Sequence, residues 1–150
     1  MTAPDTTPET EPETKLALIR AFAEGAPMAR WLGFSAALED GDMLYRLAFD
    51  ERHIGNVMIR AMHGGAIAAF LEFAAQSALA AELDETAPQR TIGSDIDYLA
   101  SAGAVDLFAR VTLTRVGRRM AFVEAVGWQE NEARPVAAAR FRFRLGVDDD

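Results

Sequence analysis

The stretch Asn56–Leu79, NVMIRAMHGGAIAAFLEFAAQSAL, decides the fold of this chain. From His63-Gly64-Gly65 the sequence stays apolar or small to about Leu83, with only Glu72, Gln76, Ser77 and Glu82 polar. A surface helix keeps a broad polar face toward water, and this run has none, so it predicts a helix buried nearly all round. Other elements must wrap it.

Those elements read as strands. Upstream, Phe34–Leu38 and Met43–Phe49 flank Glu39-Asp40-Gly41-Asp42, a turn of residues that tolerate tight backbone geometry, and Met43, Tyr45, Leu47 and Phe49 share one face. Residues 50–62 show no period and are expected to form a loop. Downstream, Val105, Leu107, Ala109, Val111 and Leu113 alternate with polar residues. So do Ala137, Ala139, Phe141, Phe143 and Leu145 against Arg140, Arg142 and Arg144, which are read as the solvated side of the last strand. Turn signals fall at Ser101-Ala102-Gly103, Val116-Gly117-Arg118 and around Asn131. One-sided alternation indicates antiparallel strands with one buried face. Before the sheet, Leu16, Ile19, Phe22 and Ala23 recur at helical spacing, Gly25-Ala26-Pro27 interrupts, and Ala29–Leu32 form another turn stopped by Gly33. The order predicts an α+β domain, an antiparallel sheet of about six strands curled around one long central helix.

The chain has 150 residues, room for one domain of ordinary size. Residues 1–14 are mostly threonine, proline and glutamate, with too little to bury to offset the entropy of ordering them, and are expected to be a disordered acidic tail. Residues 15–147 are read as a single domain, and 148–150 as a second acidic tail. The net charge of −8 comes largely from these tails: between Lys15 and Val147, 15 basic residues face 16 acidic ones. A nearly neutral domain lacks the basic stripe of a nucleic-acid binder. The absence of cysteine excludes disulfides, thiolate zinc sites and a cysteine nucleophile. With no signal-like N-terminus and no uncharged apolar run near 20 residues, a cytoplasmic protein without a membrane partner is expected.

Two features carry chemistry. Glu72 stands in the middle of the buried helix, where an unpaired carboxylate loses hydration. One turn away lie Ala68, Ala69, Ala75 and Gln76, small groups and one amide that leave room over its face. The plainer reading pairs Glu72 with solvent or with Arg60 or Arg90. The second feature is the helix start, where the N–H groups of Gly64 and Gly65 have no partner within the helix and no side chain blocks a ligand oxygen. Such a start can bind an oxyanion; it is also what a plain turn needs, and His63, the catalytic candidate beside it, is by itself more often a capping or core histidine. Gly64 and Glu72 are separated by about 12 Å along a straight helix, so they do not converge on one atom. A two-fold dimer solves this by setting the helix start of one subunit against the carboxylate of its partner.

The quoted stretch resembles the active-site segment of hotdog-fold acyl-CoA thioesterases of the phenylacetic acid degradation (PaaI-like) branch, relatives of 4-hydroxybenzoyl-CoA thioesterase. DIDYLASA (95–102), RVGRRMAFVEAVGWQE (115–130) and PVAAARFRF (135–143) are similar to that family too, and the resemblance runs from about Ala29 to Leu145. It implies that the Gly64 N–H polarises the thioester carbonyl and that Glu72, nine residues after His63, is general base or nucleophile. It further implies that Asn56 orients water or carbonyl, although it stands seven residues ahead of His63 where the family has six, and that Thr91 holds the attacking water. Coenzyme A phosphates would meet Arg115, Arg118 and Arg119, whose plainer reading is a soluble hairpin turn. The substrate site would take in Gly65 and Gln76. The resemblance implies a homodimer or a tetramer of paired dimers, and no metal or cofactor. Two rivals remain: a dehydratase of the same fold, using a loop histidine (His53) with Glu72 and Gln76, and a non-catalytic acyl-binding module in which Glu72 is a polar plug.

Overall fold

The computed structural model describes residues 10–146; the expected disorder of 1–9 and of the C-terminal acidic tail lies outside the described residues. Two helices come first, α1 (Thr10–Glu24) and α2 (Pro27–Leu32), followed by β1 (Phe34–Glu39) and β2 (Asp42–Leu47). A 3-10 turn (Glu51–His53), β3 (Ile54–Asn56) and β4 (Ala61–Met62) lead into α3 (Gly64–Leu83). Four strands complete the chain: β5 (Arg90–Tyr98), β6 (Leu107–Val116), β7 (Met120–Trp128) and β8 (Ala137–Arg144).

The sheet is six-stranded and antiparallel, in the order β1-β2-β6-β7-β8-β5, which leaves β1 and β5 as edges. Its inner face curls around α3, in the hotdog arrangement that the resemblance implied. Asp40 and Gly41, both at positive φ, make the two-residue β1–β2 turn, as hairpin twist requires. Bulges at Leu113/Arg115 in β6 and Thr91/Gly93 in β5 bend the sheet.

The helix is buried where expected. Phe70, Leu71, Ala74, Ala75 and Leu79 have no exposed surface, and they pack against Leu107, Ala121, Val123, Ala125, Phe141 and Phe143 of the sheet. Each large side chain so removed from water contributes about 1.5–3 kcal/mol. By length and composition α3 qualifies as a membrane-crossing helix, but 67% of that window is buried within this protein, so it is a core helix.

Two expectations need correction. The first helix begins at Thr10, so 10–14 belong to α1 and not to a tail; acidic Glu11 and Glu13 in the first turn suit the positive end of the helix dipole, and Glu11 pairs with Lys15 at 3.4 Å. Lys15 also reaches Glu82 at 2.7 Å, fastening α1 along α3. The stretch 50–62 is not a plain loop. It holds the 3-10 turn, capped by Asp50, and the small β3–β4 hairpin. Both are too short for a period to show.

Candidate active site

The helix start is built around His63. This residue caps α3, its Nδ1 accepting the Gly65 N–H at 2.9 Å, while its own N–H donates to the His53 carbonyl at 2.7 Å. A Cβ on Gly65 would sit 3.0 Å from His63 Nδ1, so the ring can lie over this position only because the residue is glycine. The consequence is a division of labour. The Gly65 amide is committed to the cap, and the Gly64 N–H is left without a hydrogen-bond partner among the described residues. Expectation had treated both amides as open; one of them is.

Tyr98 adds a contact that sequence reading had not assigned. Its hydroxyl donates to the Gly64 carbonyl at 2.9 Å, and its ring would stand 3.4 Å from a Cβ at Gly64. Tyr98 thus holds the peptide next to the free amide, and the only signal in sequence was its place at the end of DIDY.

The acid is built separately. Thr91 Oγ1 donates to Glu72 Oε1 at 2.6 Å, and Gln76 Nε2 donates to Thr91 Oγ1 at 3.3 Å. Gln76 is itself gripped by the backbone of Gln89, Nε2 to the carbonyl at 2.7 Å and Oε1 from the N–H at 3.1 Å. All three side chains are half-buried. Glu72 therefore has its hydrogen-bond partner in Thr91, while Arg60 pairs with Glu51 at 2.6 Å. Glu72 and Thr91 are thus brought together, and Gln76, expected in the substrate site, braces the Thr91 hydroxyl.

The two clusters lie about 12 Å apart along α3, eight residues at the helical rise. Asn56 joins neither: its Oδ1 accepts the Met58 N–H at 3.1 Å and closes the turn that exposes Val57, Met58 and Ile59. Arg115, Arg118 and Arg119 sit at the exposed β6–β7 hairpin, with no ion-pair partner among the described residues. Val116 and Thr91 fall on one cross-strand row through Ala121 and Phe143, three strand spacings or about 14 Å apart. The arginines are thus at the acid's end of the sheet.

His53 is excluded as a catalytic partner of Glu72. It is fully buried, with Nδ1 accepting the Asp50 N–H at 3.1 Å and Nε2 donating to the Trp31 carbonyl at 2.9 Å. Both ring nitrogens are spent on backbone, so the dehydratase pattern loses its histidine. Among the described residues no group of three His, Cys, Asp or Glu could hold a metal ion.

The sequence profile of the thioesterase superfamily matches residues 60–136, from just before the His63 cap to the start of β8. The chain belongs to the thioesterase superfamily. Solved relatives agree with that membership. A protein from the thioesterase superfamily is 26% identical at a TM-score of 0.80, covering 89% of this chain and 99% of its own. The phenylacetic acid degradation-related protein of Ralstonia eutropha (23%, TM-score 0.72, 85% and 99% covered) and PaaI of E. coli (17%, TM-score 0.73, 89% and 95%) share the fold. No curated protein matches the chain. An unpartnered amide is able to bind a carbonyl oxygen, and a hydroxyl-held carboxylate is able to take a proton from water.

Proposed function

We propose that this protein hydrolyses acyl-CoA thioesters and does so as a dimer. The observation that carries the reading is the Thr91–Glu72 contact of 2.6 Å, which fixes a carboxylate on the same helix that offers the free Gly64 amide.

The edge strand β5 supplies a way to bring the halves together. Counted by partners on β8, Thr91 and Tyr98 lie three ladder steps on either side of Asp95. Antiparallel pairing of β5 with a second copy, centred near Asp95, sets the Thr91–Glu72 pair of one subunit against Tyr98 and Gly64 of the other. Arg142, 3.1 Å from Asp95, offsets the like charges that meet at the centre.

In the resulting site the Gly64 N–H binds the carbonyl oxygen, whose charge grows in the transition state. Glu72 removes a proton from water as it attacks, or attacks the carbonyl itself to form a mixed anhydride that water then hydrolyses, which frees the acid and regenerates Glu72; in either case the C–S bond breaks and the sulfur leaves as thiolate and is protonated. Thr91 occupies one carboxylate oxygen and leaves the other for the reaction. Arg115, Arg118 and Arg119 receive coenzyme A phosphates. The test is release of free coenzyme A from short, medium, long and aryl acyl-CoAs by wild type and Glu72→Ala. Release by wild type that is lost in the variant is expected; no release from any substrate overturns the reading.

A further inference from the structure

At the start of α3 lies a cavity of about 400 Å³, bounded by Met28 and Trp31 of α2, by the capping His63 and by Gly65, Ala66 and Ala69 of α3. Gly65 and Ala69 precede Glu72 by seven and three positions, so the cavity continues the face of α3 that carries the acid. Its walls are apolar or small apart from His63 and Arg52. Met28 and Trp31 are 47% and 43% exposed, although their neighbours Ala29 and Leu32 are buried. They present apolar surface to the cavity, not to the core.

This wall is held firmly. The Trp31 carbonyl accepts from Arg52 Nε at 2.6 Å as well as from His53, and Arg52 also donates to the Arg30 carbonyl at 2.9 Å. The Trp31 ring meets buried His53 edge-on, with centroids 5.1 Å apart. Arg52, which touches the cavity, is thereby engaged with α2 carbonyls and with Asp50 at 3.5 Å, so it is poorly placed to receive a charged acyl group. The volume is near the lower end of the roughly 300–1,000 Å³ of ligand pockets. α2 lies outside residues 60–136, the part that the family profile matches.

We propose that α2 forms the wall of the acyl-group site and that Trp31 selects compact apolar acyl groups over long chains; the assignment rests on the thioesterase reading above. The test compares wild type, Trp31→Ala and Trp31→Phe on acyl-CoAs from two to sixteen carbons. In parallel, binding of S-hexyl- and S-hexadecyl-coenzyme A, thioethers that cannot be hydrolysed, is measured by calorimetry. Trp31→Ala is expected to raise the long-to-short ratio of kcat/KM, and of thioether affinity, by about tenfold or more, with Trp31→Phe in between. Ratios unchanged in Trp31→Ala overturn the pocket even if hydrolysis is intact. Absence of hydrolysis in wild type overturns the thioesterase reading, and the thioethers then judge the pocket by themselves.

Discussion

Thr91 and Glu72 are nineteen residues apart in sequence, yet the threonine hydroxyl lies 2.6 Å from the carboxylate. One comes from the edge strand and the other from the central helix, and their contact marks where the inner face of the sheet meets the acid.

If that contact serves catalysis, removing its two ends has unequal effects. Glu72→Gln keeps the shape and removes the base, and is expected to lower kcat by about 10²–10⁴-fold. Thr91→Val leaves the carboxylate but not its hydrogen bond, and a loss of about tenfold is expected for one charge-assisted bond of roughly 1.5 kcal/mol. Thiol release under saturating substrate measures both. Equal losses, or none at Glu72, would count against the assignment.

The amide can be deleted without deleting the helix. Proline is tolerated at the first helical position, and His63 before it already has the extended ψ of 129° that proline favours. Gly64→Pro should therefore retain the helical circular dichroism of wild type and lose about 10²–10³ in kcat.

Mixing inactive Glu72→Gln with inactive Gly64→Pro provides a sharper experiment. In a two-fold dimer with shared sites, random heterodimers restore about one quarter of wild-type activity, since half the dimers carry one intact site. A charge on the β5 edge, Ile92→Lys, is expected to weaken dimers in analytical ultracentrifugation and reduce activity with them. No recovery on mixing would show that each subunit works alone.

The arginine hairpin makes a claim about the leaving group only. Replacing Arg115, Arg118 and Arg119 by alanine should raise KM for acyl-CoA by about tenfold, the scale of one charge-assisted contact. KM for the matching N-acetylcysteamine thioester, which has no phosphates, should not move. A parallel rise for both substrates would make the arginines structural.

Stability has its own acidic limb at Asp106. Its carboxylate accepts the Phe49 N–H at 2.7 Å and Arg46 Nε at 2.8 Å, and these bonds, the backbone one foremost, hold its pKa below the ordinary value. A lowered folded pKa means that the contribution is complete above the unfolded value of about 3.9 and disappears as pH falls through the folded one. Asp106→Asn is expected to cost about 1 kcal/mol in urea unfolding at pH 7, with the difference from wild type shrinking near pH 3. A constant difference at both pH values would refute the linkage.

Much of this was legible from residue order. The buried helix follows from a run with no polar face, the β1–β2 turn from Asp40-Gly41, and β6 and β8 from apolar residues at every second position. Glu72 could be singled out because a carboxylate in such a helix needs a reason. The short 3-10 turn and the β3–β4 hairpin escaped because elements of two or three residues have no period. Gly65 was assigned an open amide because residue order offers His63 as a cap without showing which amide its ring takes up.

Local chemistry along the chain thus determined the longer helices and strands, which of their faces are apolar, and which acid and amide stand on the central helix. What required the tertiary structure was the facing of the edge strand. Thr91 and Tyr98 are seven residues apart, an odd spacing that regular alternation places on opposite sides of a sheet. The bulge at Thr91/Gly93 absorbs one residue, so their partners are Phe143 and Ala137, both buried, and both side chains face α3. A bulge is a property of the pairing between two strands, and pairing exists only once distant segments have met.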